Sequence, residues 1–226
     1  MEIHKNNLKE NIFGLKFIPT LGTEQLDDAD FIDAVTDANG NEIDLAIKHS
    51  IIHPEFSIKN RDLLTKIVNG MTSDGTLKNI FEIGVHRSGE DSSTKCILHA
   101  KMAETKYFGV DLNENNLSGV RSEKDNVFCL PQNSSNIGEV MKWVNNYGVF
   151  SFDLILIDGF HSIKQVLDDW KYVQYLNKGG IVVFHDSNYH PGPYCVFEAI
   201  DDNLFEKSKH FADEEYDWGI ALARLK

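Results

Sequence analysis

Cysteine is scarce in this chain: three in 226 residues, Cys96, Cys129 and Cys195, far apart, odd in number and without a CxxC pair. That spacing excludes a disulfide framework and a zinc-thiolate site, and reads the thiols as buried or neutral. No apolar run approaches the ~18 residues of a membrane span, and residues 1–7 lack a charged-then-apolar leader, so a cytoplasmic protein with no membrane partner is expected. Basic side chains are also in deficit, 22 against 35 acidic, and the formal net charge of −13 repels a nucleic-acid backbone. Internal repeats and low-complexity tracts are missing too. What is there is a 42% hydrophobic chain of the length of a single α/β domain, enough for one sizeable core.

The character of the chain changes near residue 75. Residues 1–50 are irregular and polar, with an Asp37-Ala38-Asn39-Gly40-Asn41 turn signal between short runs at 31–35 and 42–47. They read as an arm or lid that completes a pocket or a subunit contact in a homo-oligomer. Residues 60–69 carry Leu63, Leu64, Ile67 and Val68 at helical spacing, with Gly70 as the stop. From residue 79 strand and helix signals alternate: strands at 79–85, 107–112, 126–130, 152–157 and 181–184, helices at 92–103, 136–147 and 163–176. That rhythm argues for right-handed βαβ units and a mostly parallel sheet, with residues 218–225 as a terminal strand paired antiparallel at or near the edge.

Two strand ends carry the densest chemistry. The run 152–157 ends in Asp158-Gly159-Phe160-His161, and the run 181–184 ends in His185-Asp186. Ligands of open parallel sheets bind beyond the carboxyl ends of the strands, where an Asp, Asp, His set can hold a divalent cation and leave a second imidazole as a base. The plainer alternative is that both carboxylates cap the segments that follow.

A glycine turn, Glu82-Ile83-Gly84-Val85-His86-Arg87-Ser88-Gly89, joins the first strand to the next helix. Such a turn lets the backbone approach a ligand and offers the helix N-terminus to it, though a plain strand-to-helix turn has the same glycines. The next strand ends in Asp111, 27 residues past Gly84, close to the offset at which a carboxylate meets ribose hydroxyls. Together these indicate an adenosine-type ligand. The dinucleotide Gly-x-Gly-x-x-Gly spacing is absent, and Glu82 suits an amino-bearing ligand better than a pyrophosphate. His86 and Arg87 read as solvated turn residues, and Asp213 to Asp217 as a solvated acidic connection. Residues 188–194, with two prolines, read as a substrate loop or as loop punctuation.

Glu82-Ile83-Gly84, Ser88-Gly89, Gly109-Val110-Asp111 and the stretch from Asp153 to Asp158 resemble the successive motifs of class I S-adenosylmethionine-dependent methyltransferases. Asp158-Gly-x-His161, Asp168-Asp169 and Gly179-Gly180 leading to His185-Asp186 are similar to the macrocin O-methyltransferase and cephalosporin hydroxylase-like group, of the methyltransferase family 24 type. The resemblance covers residues 78–226. It implies a Rossmann-like, mostly parallel seven-stranded α/β sheet with helices on both faces, plus an N-terminal extension. The division is then residues 1–75 as extension or lid with a helix, and 76–226 as the cofactor-binding domain.

The resemblance also implies roles. Gly84, Ser88 and Gly89 pass near the methionine moiety, and Glu82 lies close to its amino group or against a supporting loop. Asp111 holds the ribose, while Asn133 and Ser134, in Gln132-Asn133-Ser134, meet the adenine, Asn133 through its carbonyl oxygen. Asp158, bordering the cofactor, binds magnesium or manganese together with His185 and Asp186, and His161 is the general base. His185 stands where these relatives commonly have a glutamate, which weakens magnesium and favours manganese or iron. The implied activity is O-methylation of a hydroxyl on a small molecule, a sugar or natural product. Two competitors are a non-haem oxygenase or hydrolase using Asp158, His161 and His185, and a non-catalytic cofactor-binding module.

Overall fold

The computed structural model describes residues 4–6, 12–20, 57–85, 92–187, 190–210 and 219–226. The turn residues His86, Arg87, Ser88, Gly89 and Glu90, the runs 31–35 and 42–47, Asn188, Tyr189 and residues 213–218 lie outside them. In chain order the elements are β1 His4–Asn6, β2 Ile18–Thr20, α1 Ile58–Ser73, β3 Asn79–Ile83, α2 Ser93–Ala100, β4 Lys106–Asp111, α3 Glu114–Ser118, β5 Val127–Pro131, α4 Ile137–Asn145, β6 Phe152–Ile157, α5 Ile163–Trp170, β7 Leu176–His185, α6 Pro191–Ala199, β8 Phe205–His210 and β9 Ile220–Leu225. Among these residues no helix is long and apolar enough to cross a membrane.

Seven strands form one sheet in the order β5-β4-β3-β6-β7-β9-β8. The first five are mutually parallel, and β9 runs antiparallel between β7 and β8. The order reverses between β3 and β6, and a crevice opens at that switch point beyond the strand ends.

Burial follows from the strand sequences. All six residues of β6 are buried, as a central parallel strand covered on both faces requires. Alternate residues feed two cores. Phe81, Phe108, Ile155 and Phe184 pack with α4, α5 and α6. Ile80, Tyr107, Leu154 and Val183 pack with α1, α2 and α3. Serine hydroxyls start three helices by accepting backbone N–H groups: Ser57 from Asn60, Ser92 from Lys95 and Ser162 from Gln165.

Several boundaries differ from the sequence expectation. Helix α1 runs through Gly70 to Ser73, because nothing there requires the left-handed conformation that makes glycine a terminator. The expected helix 163–176 stops at Trp170 and tightens into a 3-10 turn at Lys171–Tyr175, after which β7 begins five residues earlier than expected. Residues 191–199 are helical: Pro191 occupies the first turn, where its missing N–H costs nothing. Strand β8 was not expected, since Phe205 is its single buried residue. It is an edge strand whose Lys207 and Lys209 lie over the Phe197 ring at 4.9 and 5.4 Å.

Candidate active site

Beyond the switch point lies a cavity of about 590 Å3, of the size that takes a cofactor-sized ligand. Gly84, Asp111, Leu112, Asn133, Ser134, Asp158, Phe160 and Gln165 are among its walls. Gly84 has φ +83°, and a Cβ there would lie 1.9 Å from the Asp158 carbonyl oxygen, so glycine alone lets β3 and β6 close the cavity floor.

Asp111 Oδ2 accepts the Val85 N–H at 2.9 Å and Oδ1 the Asn113 N–H at 2.7 Å, which fixes the carboxylate at the rim. Asn133 Oδ1 accepts the Ser135 N–H at 2.9 Å in a local turn. Behind it, Gln165 Nε2 donates to Ser134 Oγ and to Asp169 Oδ1, both at 2.9 Å. Burial pushes the Asp169 carboxyl up to about 7, against the lowering effect of Ser134 and Gln165. Ser88 and Gly89 lie outside the described residues.

Glu82 is not a wall of the cavity. Its fully buried carboxylate accepts Ser93 Oγ–H at 2.6 Å and the Tyr107 hydroxyl proton. Burial raises its pKa to about 7; the two hydroxyls lower it, and the Asp158 charge raises it further. Glu82 is thus held between α2 and β4, through Ser93 and Tyr107, and not against a loop. Asp153 is structural as well: it accepts the Lys78 and Asn79 N–H groups at 2.8 and 2.9 Å and the Asn177 amide at 2.7 Å.

The polar cluster gathers around Asp186, at the end of β7. His185 Nδ1 lies 3.0 Å from Asp158 Oδ1 and 3.0 Å from Asp186 Oδ1. On the other oxygen, His161 Nε2 lies 3.0 Å and His190 Nε2 3.9 Å from Asp186 Oδ2. The His161 and His190 rings stack with centroids 4.2 Å apart. Asp186 is fully buried, in the left-handed region at φ +55°. That conformation costs a non-glycine residue about 1–2 kcal/mol.

Two sets of donors are therefore close enough to share an ion: Asp158, His185 and Asp186, and His161, Asp186 and His190. The trio Asp158, His161, His185 is not gathered as one set, because the two imidazoles face opposite oxygens of Asp186. His190 was not singled out in the sequence as a ligand. Its signals were position, four residues past Asp186, and the helix that Pro191 starts.

Neither Asp186 oxygen accepts an aligned hydrogen bond among the described residues, although each has an imidazole nitrogen at 3.0 Å. His185 Nδ1 and Asp158 Oδ1 are within hydrogen-bond distance at 3.0 Å, and a 3.0 Å separation is also about the spacing of neighbouring ligands around a small divalent ion. The residues present thus fit a divalent ion at Asp158, His185 and Asp186. The charges of the cluster compensate one another. Burial disfavours charge on His185, but Asp186 and Asp158 outweigh it and hold its pKa well above the ordinary value. Burial likewise works against the Asp186 carboxylate, yet His185 and His161 keep it well below the usual range.

Residues 81–187 match the family model described as a methyltransferase domain. No curated protein matches the chain in sequence. Among solved structures, the chain is similar to an O-methyltransferase from Bacillus cereus in complex with SAH, at 13% identity and TM-score 0.56, covering 91% of this chain and 93% of that one. It is also similar to the O-methyltransferase TomG from Streptomyces achromogenes, involved in tomaymycin synthesis and in complex with SAM, at 13% identity and TM-score 0.54, covering 91% and 99%. A third is MycE from the mycinamycin biosynthetic pathway, in complex with Mg and SAH, at 15% identity and TM-score 0.51, covering 80% of this chain and 54% of that one. At these identities the likeness is one of fold.

Proposed function

We propose, from the match of residues 81–187 to a methyltransferase-domain model, that this chain is a class I S-adenosylmethionine-dependent enzyme that methylates a hydroxyl oxygen on a small molecule, a sugar or natural product. One observation carries the reading: Asp158 is both a wall of the cofactor-sized cavity and a member of the cation-ready cluster. A methyl donor in the cavity and an ion on the cluster would therefore meet at one carboxylate. Two structural neighbours named as O-methyltransferases, and a third named as a methyltransferase in complex with Mg and SAH, support the same chemistry.

Methyl transfer to a hydroxyl forms an O–C bond, breaks an S–C bond and releases one proton. Asp111 is the ribose carboxylate, Asn133 and Ser134 face the adenine, and Gly84 leaves room for the methionine part. A divalent ion held by Asp158, His185 and Asp186 supplies Lewis acidity toward the acceptor hydroxyl when bound. His161 takes the hydroxyl proton at Nε2, and Asp186 Oδ2, 3.0 Å away, offsets the imidazolium charge. Residues 1–75 act as an N-terminal extension, whose helix α1 packs Leu64, Val68 and Met71 into the core against Ile80.

The test uses metal-free protein, labelled S-adenosylmethionine and a panel of sugars, catechols and macrolide alcohols, with and without Mg or Mn, beside calorimetry with SAH. SAH binding with ion-dependent label transfer is expected. Absence of SAH binding overturns the cofactor reading, and full transfer without an ion removes the metal.

A further inference from the structure

We propose that His161, His190 and Asp186 form a second cation pocket, selective for a zinc-class ion, whose occupancy silences the base. The inhibitory half rests on the function proposed above; the binding half does not.

The pocket is built from three elements. His161 follows β6, Asp186 follows β7, and His190 is the N-cap residue of α6. Close backbone packing locks them together. The Gly192 N–H donates to the His161 carbonyl at 2.9 Å, and the His190 N–H to the Asp186 carbonyl at 3.1 Å. A Cβ on Gly192 would lie 2.2 Å from the His161 carbonyl oxygen, so α6 approaches as near as a glycine permits. The imidazoles are consequently held in a stack, 28° from parallel, with Nε2 of each near the same carboxylate oxygen.

Composition selects the ion, and the geometry admits it. Bonds of ~2.0–2.1 Å in a tetrahedral zinc site put neighbouring ligand atoms about 3.3 Å apart. The nitrogen-to-oxygen distances of 3.0 and 3.9 Å bracket that value, with all three donor atoms within 4.8 Å of one another. The Asp158 set offers two carboxylates and one imidazole, which a hard ion accepts. This set offers two imidazoles and one carboxylate, which zinc, cobalt or iron(II) prefers over magnesium.

Burial adds a reason for a cation to be there. Asp186 is 0% and His190 1% exposed, so an ion bound there would be shielded from water and would add to the charge compensation of the buried carboxylate. Since Asp186 gives Oδ1 to one pocket and Oδ2 to the other, both can fill at once. An ion in the second pocket takes the His161 Nε2 lone pair, the one assigned to the acceptor proton. Zinc then competes with catalysis and leaves cofactor binding intact.

Metal-free full-length protein in saturating Mg is titrated with Co(II), followed by visible absorption and equilibrium dialysis, and Zn(II) is used to displace it. One equivalent of tetrahedral Co(II), displaced by zinc, is expected. His190→Ala should weaken binding about 100-fold or more while SAH affinity holds, and His190→Gln serves if the alanine variant does not fold. Zinc should inhibit methyl transfer in the wild type and far less in the variant.

Absence of Co(II) uptake in the presence of Mg overturns the pocket. So does uptake that survives His190→Ala and disappears in His185→Ala. Uptake without zinc inhibition of an active enzyme overturns the regulatory half. A cobalt band that depends on His190, in protein with no transferase activity on any acceptor, upholds the pocket and counts against the function.

Discussion

Replacing Glu82 by glutamine should stabilise the protein in alkaline solution and do little in acid. The carboxyl is fully buried, and its pKa rises from 4.5 to about 7, chiefly through burial. The folded state therefore holds a proton that the unfolded chain releases near 4.5, so the folded state binds more protons between the two values. Stability must fall as pH rises through that window, with the full cost present above 7. At ~1.4 kcal/mol per pH unit, displacement from 4.5 to about 7 amounts to about 3 kcal/mol. Glutamine cannot ionise, can still accept from Ser93 Oγ, and can turn its amide toward the Tyr107 oxygen. Urea unfolding of both proteins at pH 5 and pH 8 measures the difference. Asp169, also raised to about 7, titrates in both proteins and cancels. The wild type should lose about 2–3 kcal/mol more than Glu82→Gln between the two pH values. Parallel losses would refute the buried-acid account of Glu82.

His161→Ala should lower the rate of methyl transfer about 10²- to 10⁴-fold, the usual worth of a general base, with SAH affinity unchanged by calorimetry. Gly84→Ala should abolish SAH binding and lower the melting temperature, because the added Cβ meets the Asp158 carbonyl oxygen at 1.9 Å and the backbone is at φ +83°. Asp153→Ala strands the Lys78 and Asn79 N–H groups and the Asn177 amide in a nearly buried position. Its expected cost is about 3 kcal/mol in urea unfolding, with SAH affinity of the folded fraction unaltered.

Much of the fold was legible because the five parallel strands are apolar runs, and a strand covered on both faces has no other way to be written. The strand 152–157 appears with its expected bounds. Where the signal was polar or mixed, it failed. Strand β8 has one apolar residue in six and sets the ammonium groups of Lys207 and Lys209 over Phe197. Helix α6 looked like a loop because Pro191, Gly192 and Pro193 crowd its first turn, although proline belongs there. Gly70 looked like a stop, but a glycine terminates a helix only when the next turn needs its left-handed conformation.

The candidate site was legible in its acids and less so in its partners. Asp111, Asn133, Ser134 and Asp158 do line one cavity, since strand ends in a parallel sheet converge on the switch point. Glu82 could not be placed from sequence: whether its carboxylate faces the ligand or the core depends on Ser93 and Tyr107, which lie 11 and 25 residues away. His190 was hidden for a related reason. A local bond from the His190 N–H to the Asp186 carbonyl at 3.1 Å, with the packing of α6 on the His161 backbone, brings it to Asp186.

Asp186 ties these threads together. It is a buried carboxylate in a left-handed conformation, with oxygens that crowd imidazoles without aligned hydrogen bonds among the described residues. The left-handed backbone is a cost that glycine would relieve, whereas the carboxylate charge is held by His185 and His161, which keep its pKa well below the usual range. Asp186→Asn should therefore lower the unfolding temperature of metal-free protein near neutral pH, with Mg and Co(II) binding both lost. Backbone strain at the junction of two candidate cation pockets is what a local rule broken for function looks like. An unchanged or raised unfolding temperature would refute the imidazoles' hold on the carboxylate charge.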